Sequence, residues 1–305
     1  MMMAKPMNIA VVGAGLMGHG IAQVFAAAGH DVAIHDASAT VLAGVVERIR
    51  GNLRELDQDI AGADRVTPHA DITSAVRNAD FVVEAALENL PLKQALFAEV
   101  EQAAPATAIL ASNTSVIPIT AIMEKLTRRE RAIGTHWWNP PFLVPLVEVI
   151  TTQWTDDATL AQTMALHQAI GKTPVHVKKD VPGFVGNRLQ HALWREAISL
   201  VERGICDAET VDIVVKASFG LRLAVLGPLE NADLVGTDLT LAIHQIVLSD
   251  IESRPGPSPY LEQLVAGGRL GFKSGEGFRC WTPEQQAAIR SAVTQHLKKA
   301  RASPA

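Results

Sequence analysis

Two titratable residues, His136 and Glu148, stand in the otherwise apolar stretch GTHWWNPPFLVPLVEVI at positions 134–150. A histidine exchanges protons near neutral pH, and a carboxylate bonded to one ring nitrogen fixes its tautomer and raises its basicity. The alternation around Glu148 predicts a packed strand, where a carboxylate needs a partner. The Asn-Pro-Pro turn can fold the two segments together. The pair is therefore a candidate general base, although a lone histidine at a strand end is more often structural.

A glycine-rich turn near the start is the second chemical signature. It follows the β-branched run NIAVV, precedes a segment with helical periodicity, and comprises Gly13, Ala14, Gly15, Leu16, Met17 and Gly18. The first glycine permits a tight turn, the second lets the backbone approach a pyrophosphate, and the third lets helix and strand pack closely. Asp36 closes the next strand, can bind both ribose hydroxyls and would repel a 2′-phosphate, which predicts NAD. We expect His19, one residue past the motif, to face solvent.

These residues need a scaffold in which strands and helices alternate. The segments DVAIHD, DFVVEAAL and TAILASNTS are typical of buried strands, PLKQALFAEVEQAA is typical of a helix, and RAIGTHWW, LVEVITT and TPVHVKK continue the series. The pattern predicts an α/β fold with an N-terminal Rossmann-type doubly wound sheet. Because ligands bind at the carboxyl ends of such strands, we expect residues 112–115, the residues after Glu84, and His136 to line one crevice.

The second half of the chain changes character after the turn in KKDVPGFVGNR. Long amphipathic segments replace the strands, as in LQHALWREAISLVERG, with Leu189, Leu193, Ala197 and Leu200 on one stripe. The segment GGRLGFKSGEGF is too rich in glycine to be helical. We therefore predict a NAD-binding domain over residues 1–180 and an all-α C-terminal domain over residues 181–305, which contributes to the substrate cleft or to a dimer surface.

Composition excludes several classes of protein. The 305 residues carry 27 basic and 32 acidic side chains without charged blocks, a net charge of -5, which argues against a nucleic-acid partner. Cys206 and Cys280 stand in unrelated contexts and form neither a disulfide framework nor a metal motif, as expected for a reducing, cytoplasmic setting. The start of the chain lacks a secretory pattern, and no run reaches the ~18 apolar residues of a membrane span. We expect a soluble protein without a metal.

Six blocks occur in an order that resembles the 3-hydroxyacyl-CoA dehydrogenase family over nearly the whole chain. They are GAGLMG, VVEAALENLPLK, ASNTS, GTHWWNPP with PLVEV, PGFVGNR and GFKSGEGF. The resemblance implies NAD-dependent oxidation of the 3-hydroxyl of an L-3-hydroxyacyl-CoA, or the reverse reduction, as in fatty acid metabolism. It also implies that His136 is the catalytic base and Glu148 its orienting partner. It further implies that Ser112 hydrogen-bonds both the substrate oxygen and the histidine, and that Asn187 helps to polarise the same oxygen. A homodimer formed through the helical domain is a further implication.

The same resemblance implies additional contacts with the cofactor. Glu88 and Lys93 in the block ENLPLK match cofactor-side positions, and Asn113 and Lys273 match further nucleotide-contacting positions. Three of the implied site residues have a simpler reading: Asn187 could cap the helix that follows it, Glu88 could interact with a helix dipole, and Lys273 could be a loop charge.

Two departures from the family pattern bear on the substrate. Members that use CoA esters commonly carry a lysine-rich helix after the second strand, whereas TVLAGVVERIRGNLRELDQDIAGADR has no lysine. HWWNPP replaces the commoner HFFNP, so Trp137 and Trp138 either pack the core or narrow the pocket. The alternatives are a dehydrogenase of a small non-CoA substrate, such as a free 3-hydroxy acid, a carnitine- or gulonate-like acid or a hydroxypyridine aldehyde, and a catalytically silent NAD(H)-binding protein.

Overall fold

The computed structural model describes residues 6–302 and divides the chain into two compact units. Among the described residues, one unit contains residues 6–188 and 294–302, and the other contains residues 189–293. The break thus lies eight residues after the expected boundary at 180, and the end of the last helix belongs to the first unit instead of the second. Residues 1–5, on which the expectation about the chain start partly rests, lie outside the described residues.

An eight-stranded sheet forms the centre of the first unit. Its strands are β1 (Asn8–Val12), β2 (Asp31–His35), β3 (Val66–His69), β4 (Phe81–Glu84), β5 (Ile109–Ser112), β6 (Ala132–Trp137), β7 (Leu146–Ile150) and β8 (Thr173–Val177). They lie in the order β3-β2-β1-β4-β5-β6-β7-β8, and β6 and β7 form the antiparallel pair. Strands β1 to β6 are parallel, so their carboxyl ends share one edge, and the order reverses between β1 and β4. Ligands bind at such a reversal in doubly wound sheets.

Helices cover both faces of this sheet, as the doubly wound prediction requires. They are α1 (Leu16–Ala27), α2 (Ala39–Ala43), α3 (Val45–Glu55), α4 (Ile72–Val76), α5 (Leu90–Ala103), α6 (Ile119–Met123) and α7 (Asp157–Ala169). Asn89 and Asp156 cap α5 and α7, because their side-chain oxygens accept backbone N–H groups of the first turn. One core layer packs around Phe25 and Trp137, and the other packs around Phe97 and Phe184. These layers fix the strand ends in place.

The second unit is helical, which confirms the predicted change of fold class. Its helices are most of α8 (Gly186–Glu202), then α9 (Ala208–Ala217), α10 (Pro228–Val235), α11 (Thr237–Val247), α12 (Pro259–Ala266) and the first half of α13 (Pro283–Ala302). The glycine-rich segment before α13 forms only isolated bridges at Glu276, as its composition predicts. Among residues 6–302, no helix is both long enough and apolar enough to cross a bilayer.

Candidate active site

The hairpin of β6 and β7 places His136 directly opposite Glu148. Side chains of directly opposite residues in an antiparallel pair project from the same face, so the two groups meet. Nδ1 of His136 lies 2.7 Å from Oε2 of Glu148, and the side chains are 5% and 1% exposed. The Asn-Pro-Pro segment folds the hairpin as expected, with a cis peptide between Asn139 and Pro140. The predicted contact between the imidazole and the carboxylate is confirmed.

The hydrogen-bond pattern assigns the tautomer of His136. Because an ionised carboxylate only accepts hydrogen bonds, Nδ1 carries the hydrogen and Nε2 carries the free lone pair. Within residues 6–302, Nε2 makes no hydrogen bond, and it does not belong to the fully buried polar atoms that lack a partner. Trp138 and Phe184 flank the ring, with centroids at 5.4 and 5.6 Å. The imidazole therefore has one nitrogen held by the protein and the other available to a substrate.

The turn before α8 anchors the second oxygen of Glu148. Backbone N–H groups of Val185 and Gly186 donate to Oε1 at 2.9 and 3.0 Å, and Phe184 adopts the left-handed conformation in this turn (φ 49°). Burial by itself raises the pKa of the Glu148 carboxyl, but the hydrogen bonds from His136, Gly186 and Val185 outweigh it and hold the pKa below its ordinary value. Glu148 is thus kept as an anion beside the imidazole.

Gly186 has to be a glycine because the Trp138 indole packs directly against its backbone. A Cβ at Gly186 would lie 2.4 Å from Cζ2 of Trp138. The indole therefore lies directly on the backbone at the start of α8, beside the His136 ring. Trp138 is partly exposed, whereas Trp137 is buried in the core against Phe25. The two tryptophans thus divide the roles that the sequence leaves open: one packs the core and the other lines the site.

The two serines of the run 112–115 lie in different surroundings. The Ser112 hydroxyl is fully buried and donates to Oε2 of Glu84 at 2.6 Å, so its proton points away from a substrate. Ser115 is exposed, and its backbone oxygen accepts the Asn187 side-chain amide at 2.8 Å. The expected association of Ser112 with His136 is not found among the described hydrogen bonds. Ser115 is the serine that the structure brings to Asn187, and the order of residues within the motif could not distinguish the two.

Glu84 is the centre of a buried network that the sequence reading missed. Its carboxylate accepts Nζ of Lys93 at 2.6 Å and the backbone N–H of Ala86 at 2.7 Å, in addition to Ser112. Lys93 is 1% exposed, so the expected contact of this lysine with a cofactor is not favoured: burial places the ammonium against Glu84, with Glu88 at 3.4 Å.

Glu88 and Asn113 both organise the loops at the strand ends. Oε1 of Glu88 accepts the Thr114 hydroxyl at 2.5 Å and the Ser115 N–H at 3.0 Å. Burial by itself raises the pKa of the Glu88 carboxyl. The hydrogen bonds and the nearby Lys93 charge outweigh burial, so the pKa lies below its ordinary value. The Asn113 side chain accepts the N–H of Trp137 at 2.9 Å and so ties the end of β5 to the end of β6.

Lys273 lies in the other compact unit. There it lines a cavity of about 590 Å³ whose walls include Trp194, Leu264, Phe278 and Trp281. Its expected role toward the nucleotide stays a prediction. Within residues 6–302, no cluster of three or more metal-ligating side chains is present.

The glycine-rich turn has the shape that a dinucleotide requires. A Cβ on Gly13 would lie 2.6 Å from the Ala85 oxygen, and a Cβ on Gly18 would lie 1.7 Å from the Gly13 oxygen. A Cβ on Gly15 would meet open space, and this glycine is the N-cap of α1, where no side chain occupies the free N–H groups. The space beside Gly15 and the helix N-terminus fit a pyrophosphate.

Asp36 stands at the carboxyl end of β2 beside this turn. Its two oxygens accept the N–H groups of Ala14 and Ser38 at 2.7 and 2.8 Å, which leaves further lone pairs for ribose hydroxyls. The guanidinium of Arg48 donates to the Ala14 oxygen at 2.9 Å.

His19 is 8% exposed and bonds to the Gly15 oxygen at 2.7 Å, so the expectation that it faces solvent is wrong. Burial lowers the pKa of His19, and a neutral ring braces the turn.

Comparison with known families gives two matches that together cover most of the chain. Residues 8–181 match the NAD-binding domain of 3-hydroxyacyl-CoA dehydrogenase, and residues 183–281 match its C-terminal domain. The change from one domain to the next lies close to the expected boundary at residue 180. The helix α13 follows the second match.

Similar proteins fall into two groups by their named substrates. A 5-formyl-3-hydroxy-2-methylpyridine 4-carboxylate 5-dehydrogenase of Mesorhizobium japonicum is 37% identical over 95% of this chain and 96% of its own. A probable 3-hydroxybutyryl-CoA dehydrogenase of Deinococcus radiodurans is 39% identical over 89% of this chain and 99% of its own.

Two of the similar solved structures represent the same two groups. A structure of the pyridine carboxylate dehydrogenase, described as an NAD+-dependent dismutase, has a TM-score of 0.90 at 35% identity and covers 97% of this chain and 98% of its own. The (S)-3-hydroxybutyryl-CoA dehydrogenase of Ralstonia eutropha has a TM-score of 0.76 at 33% identity, and the match covers 91% of this chain and 100% of its own.

Proposed function

The chain belongs to the 3-hydroxyacyl-CoA dehydrogenase family, and on this premise we propose that it is an NAD-dependent dehydrogenase of a small substrate that carries no CoA. The observation that carries the proposal is the dyad: an imidazole whose Nδ1 is held by Glu148 and whose Nε2 is open at the carboxyl edge of a dinucleotide-binding sheet. The substrate has a carbon that bears a hydroxyl group, either an alcohol or the hydrate of an aldehyde.

Each residue of the dyad has a defined task in this reaction. Nε2 of His136 takes the proton of the substrate hydroxyl as the C–H bond breaks, and the Glu148 carboxylate stabilises the imidazolium that results. Bound NAD+ supplies the hydride acceptor. Two N–H groups from the turn before α8 keep Glu148 in place during this change of charge. In the reverse direction the imidazolium returns the proton to the oxygen.

Asn187 and Ser115 are proposed to bind the substrate oxygen. The Asn187 amide is fixed by its bond to the Ser115 backbone oxygen, and the Ser115 hydroxyl remains exposed next to it. Ser112 instead supports the site from behind, because its hydroxyl bonds to Glu84. Asp36 and the turn from Gly13 to Gly18 are proposed to hold the cofactor, with Glu88, Lys93 and Asn113 shaping the loops around it.

The segment 45–65 offers no unpaired cation to the phosphate groups of a CoA ester. Residues 45–65 contain four arginines, five acidic residues and no lysine. Three of the arginines pair with acids, and the fourth donates to the carbonyl oxygens of Ala14 and Val41. A phosphate that bound here would compete with these contacts, although each exposed pair is weak on its own. The dehydrogenase activity in the proposal rests on the dyad, and the absence of lysine in this segment together with the pairing of its arginines favours a substrate without CoA.

Action on a 3-hydroxyacyl-CoA is the second candidate function. The 39% identity with a probable 3-hydroxybutyryl-CoA dehydrogenase and the six ordered sequence blocks favour it. The two candidates are separated by NADH absorbance with acetoacetyl-CoA, free acetoacetate, dehydrocarnitine and a pyridine aldehyde carboxylate. Turnover of one or more free acids or aldehydes, with kcat/KM above that of the thioester, supports the first candidate, and the reverse order overturns it.

Replacement of His136 by glutamine tests the proton transfer itself. We expect kcat to fall by about 10²–10⁴-fold with NADH affinity nearly unchanged, because the base is lost and the nucleotide turn is intact. His176→Gln makes the same chemical change at an exposed position of the same sheet and is the matched control. A variant of His136 with wild-type turnover would reduce the proposal to a binding protein for NAD(H).

A homodimer is part of the proposal. In the second unit, α10 and α11 expose Leu229, Leu234, Leu241 and Ile246 to between 60% and 80%. Large apolar side chains that are exposed to this degree on two consecutive helices are candidates for an interface with a second copy of the chain. Light scattering coupled to size exclusion, on the wild type and on Leu241→Glu, measures the assembly: a monomeric wild type would contradict a dimer through this face.

A further inference from the structure

The loop that joins the two strands of the dyad is held by two cations from other parts of the first unit. This loop, residues 139–145, follows the strand of His136 and leads into the strand of Glu148. Nζ of Lys172 donates to the carbonyl oxygen of Pro141 and to that of Val144, the second at 2.9 Å. Nη1 of Arg301 donates to the carbonyl oxygen of Phe142 at 3.0 Å. Three carbonyl groups in four residues thus accept hydrogen bonds from Lys172 and Arg301.

Arg301 comes from the end of α13, beyond the residues that match the family domains. The side-chain amide of Gln58, in the orientation that its neighbours require, accepts both Nη1 and Nη2 of Arg301 at 3.2 and 3.1 Å. One turn earlier, Lys298 donates to the carbonyl oxygen of Glu55 at the end of α3. The last turns of α13 are therefore anchored at two points of the first unit, and one of them is the loop of the dyad.

The loop also contacts the helix that begins at the nucleotide turn. A Cβ on Gly20, in α1, would lie 3.1 Å from the ring of Pro141 and 3.3 Å from Phe142. Lys172 lies over the Trp137 indole, 4.9 Å from its centroid, next to His136 in the chain. A displacement of the loop would therefore reach both the base and the cofactor helix.

We propose that Arg301 is a positioning residue: together with Lys172 it fixes the loop 139–145 and thereby the orientation of His136 toward its substrate. The inference deepens the proposed function and rests on it, since His136 is the base. Burial and the nearby Arg301 charge lower the pKa of Lys172 to about 7.

The test compares Arg301→Gln with Lys299→Gln, which removes the same charge from the same turn at an exposed position for which the described residues record no hydrogen bond or ion pair. For Arg301→Gln we expect kcat to fall roughly three- to tenfold with KM for NAD within about twofold, and Arg301→Lys to recover part of the loss. Hydrogen exchange of the peptide spanning 139–145 should quicken about threefold or more in Arg301→Gln and remain unchanged in the control.

The outcomes separate this inference from the proposed function. Unchanged exchange in the loop, or an equal loss of kcat in Lys299→Gln, overturns the positioning role whatever the activity of His136→Gln. Faster exchange with unchanged kcat also overturns it, because the loop would then move without affecting the base. Wild-type turnover in His136→Gln overturns the proposed function, and the exchange experiment still reports whether the loop is held by Arg301.

Discussion

Replacement of Glu148 by glutamine should invert the tautomer of His136. Oε1 of Glu148 receives two backbone N–H groups, from Val185 and Gly186. In the variant these donors require the amide oxygen, so the amide NH2 group must face the imidazole. Nδ1 then has to accept a hydrogen bond, and the ring hydrogen moves to Nε2, where the lone pair for the substrate proton was. The variant keeps the shape of the site and loses the base.

The magnitude follows from the alternative orientation of the amide. Turning the amide around would leave the two partly buried N–H groups of Val185 and Gly186 without their acceptor, which costs about 1–3 kcal/mol for each. With a total of about 2–6 kcal/mol, the fraction of molecules with the correct tautomer falls to between ~3% and ~10⁻⁴, so kcat should drop about 30- to 10⁴-fold. Binding of NADH should be retained, because the glycine-rich turn does not contact Glu148.

Two measurements check this reasoning. Steady-state turnover gives the loss of kcat, and ¹⁵N NMR of the histidine ring identifies which nitrogen carries the hydrogen. Glu148→Ala is the useful companion, since it leaves Nδ1 without a partner and allows both tautomers. The reasoning is refuted if Glu148→Gln turns over within about threefold of the wild type, or if its ring hydrogen remains on Nδ1.

Three further outcomes follow from the structure. Gly15→Ala should weaken NADH binding with little change in Tm, because the added Cβ enters the open space proposed for the pyrophosphate. Gly18→Ala should lower both the NADH affinity and the Tm, because its Cβ meets the backbone. NADH titrations and thermal melts of the two variants distinguish these effects, and an equal loss of Tm in both would contradict the packing. Burial lowers the pKa of His167 to about 4, so stability is lost as pH falls from 6.5 through 4. In urea unfolding at pH 7, 5 and 4, the free energy of unfolding of His167→Phe should fall less than that of the wild type, by on the order of 3 kcal/mol. An equal fall in both proteins would argue against a neutral, buried ring. Burial lowers the pKa of Lys172 to about 7, so between pH 7 and 10 the folded protein holds a neutral amine while the unfolded chain holds an ammonium, and stability rises with pH. The free energy of unfolding in urea should therefore increase from pH 7 to pH 10 more in the wild type than in Lys172→Met; equal changes in both proteins would contradict the lowered pKa.

Local pattern was sufficient to predict the strands that carry the chemistry. Buried β-branched runs ended where Glu84, Ser112 and His136 stand, and parallel strands place such ends along one edge. The hairpin around Asn139 also followed from sequence, because a proline turn between two apolar segments leaves few other ways to pair a buried carboxylate. Strand β3 was not predicted: its four residues include Pro68 and are mostly exposed at the sheet edge, so they lack the apolar signal of a strand.

Long-range contacts are what the sequence could not supply. The choice between Ser112 and Ser115 depends on Glu84, which lies 28 positions from Ser112 in the chain and on a neighbouring strand. The burial of His19 depends on a tertiary surface that a first-turn position does not reveal. The return of α13 to the first unit rests on Arg301 meeting a loop 159 positions earlier. Periodicity reports which face of a helix is apolar and contains no information about such partners.

The ladder of β6 and β7 also sets how this enzyme can diverge. A slip of one residue between the strands would put a valine across from His136 and turn Glu148 to the opposite face, so proton handling would vanish in a single step instead of declining gradually. The connecting segment obeys no such rule, because its length can change while the ladder stays in register. A segment grafted here from a relative would therefore keep the ladder, but it would also have to keep the three carbonyl contacts with Lys172 and Arg301 that we propose position His136.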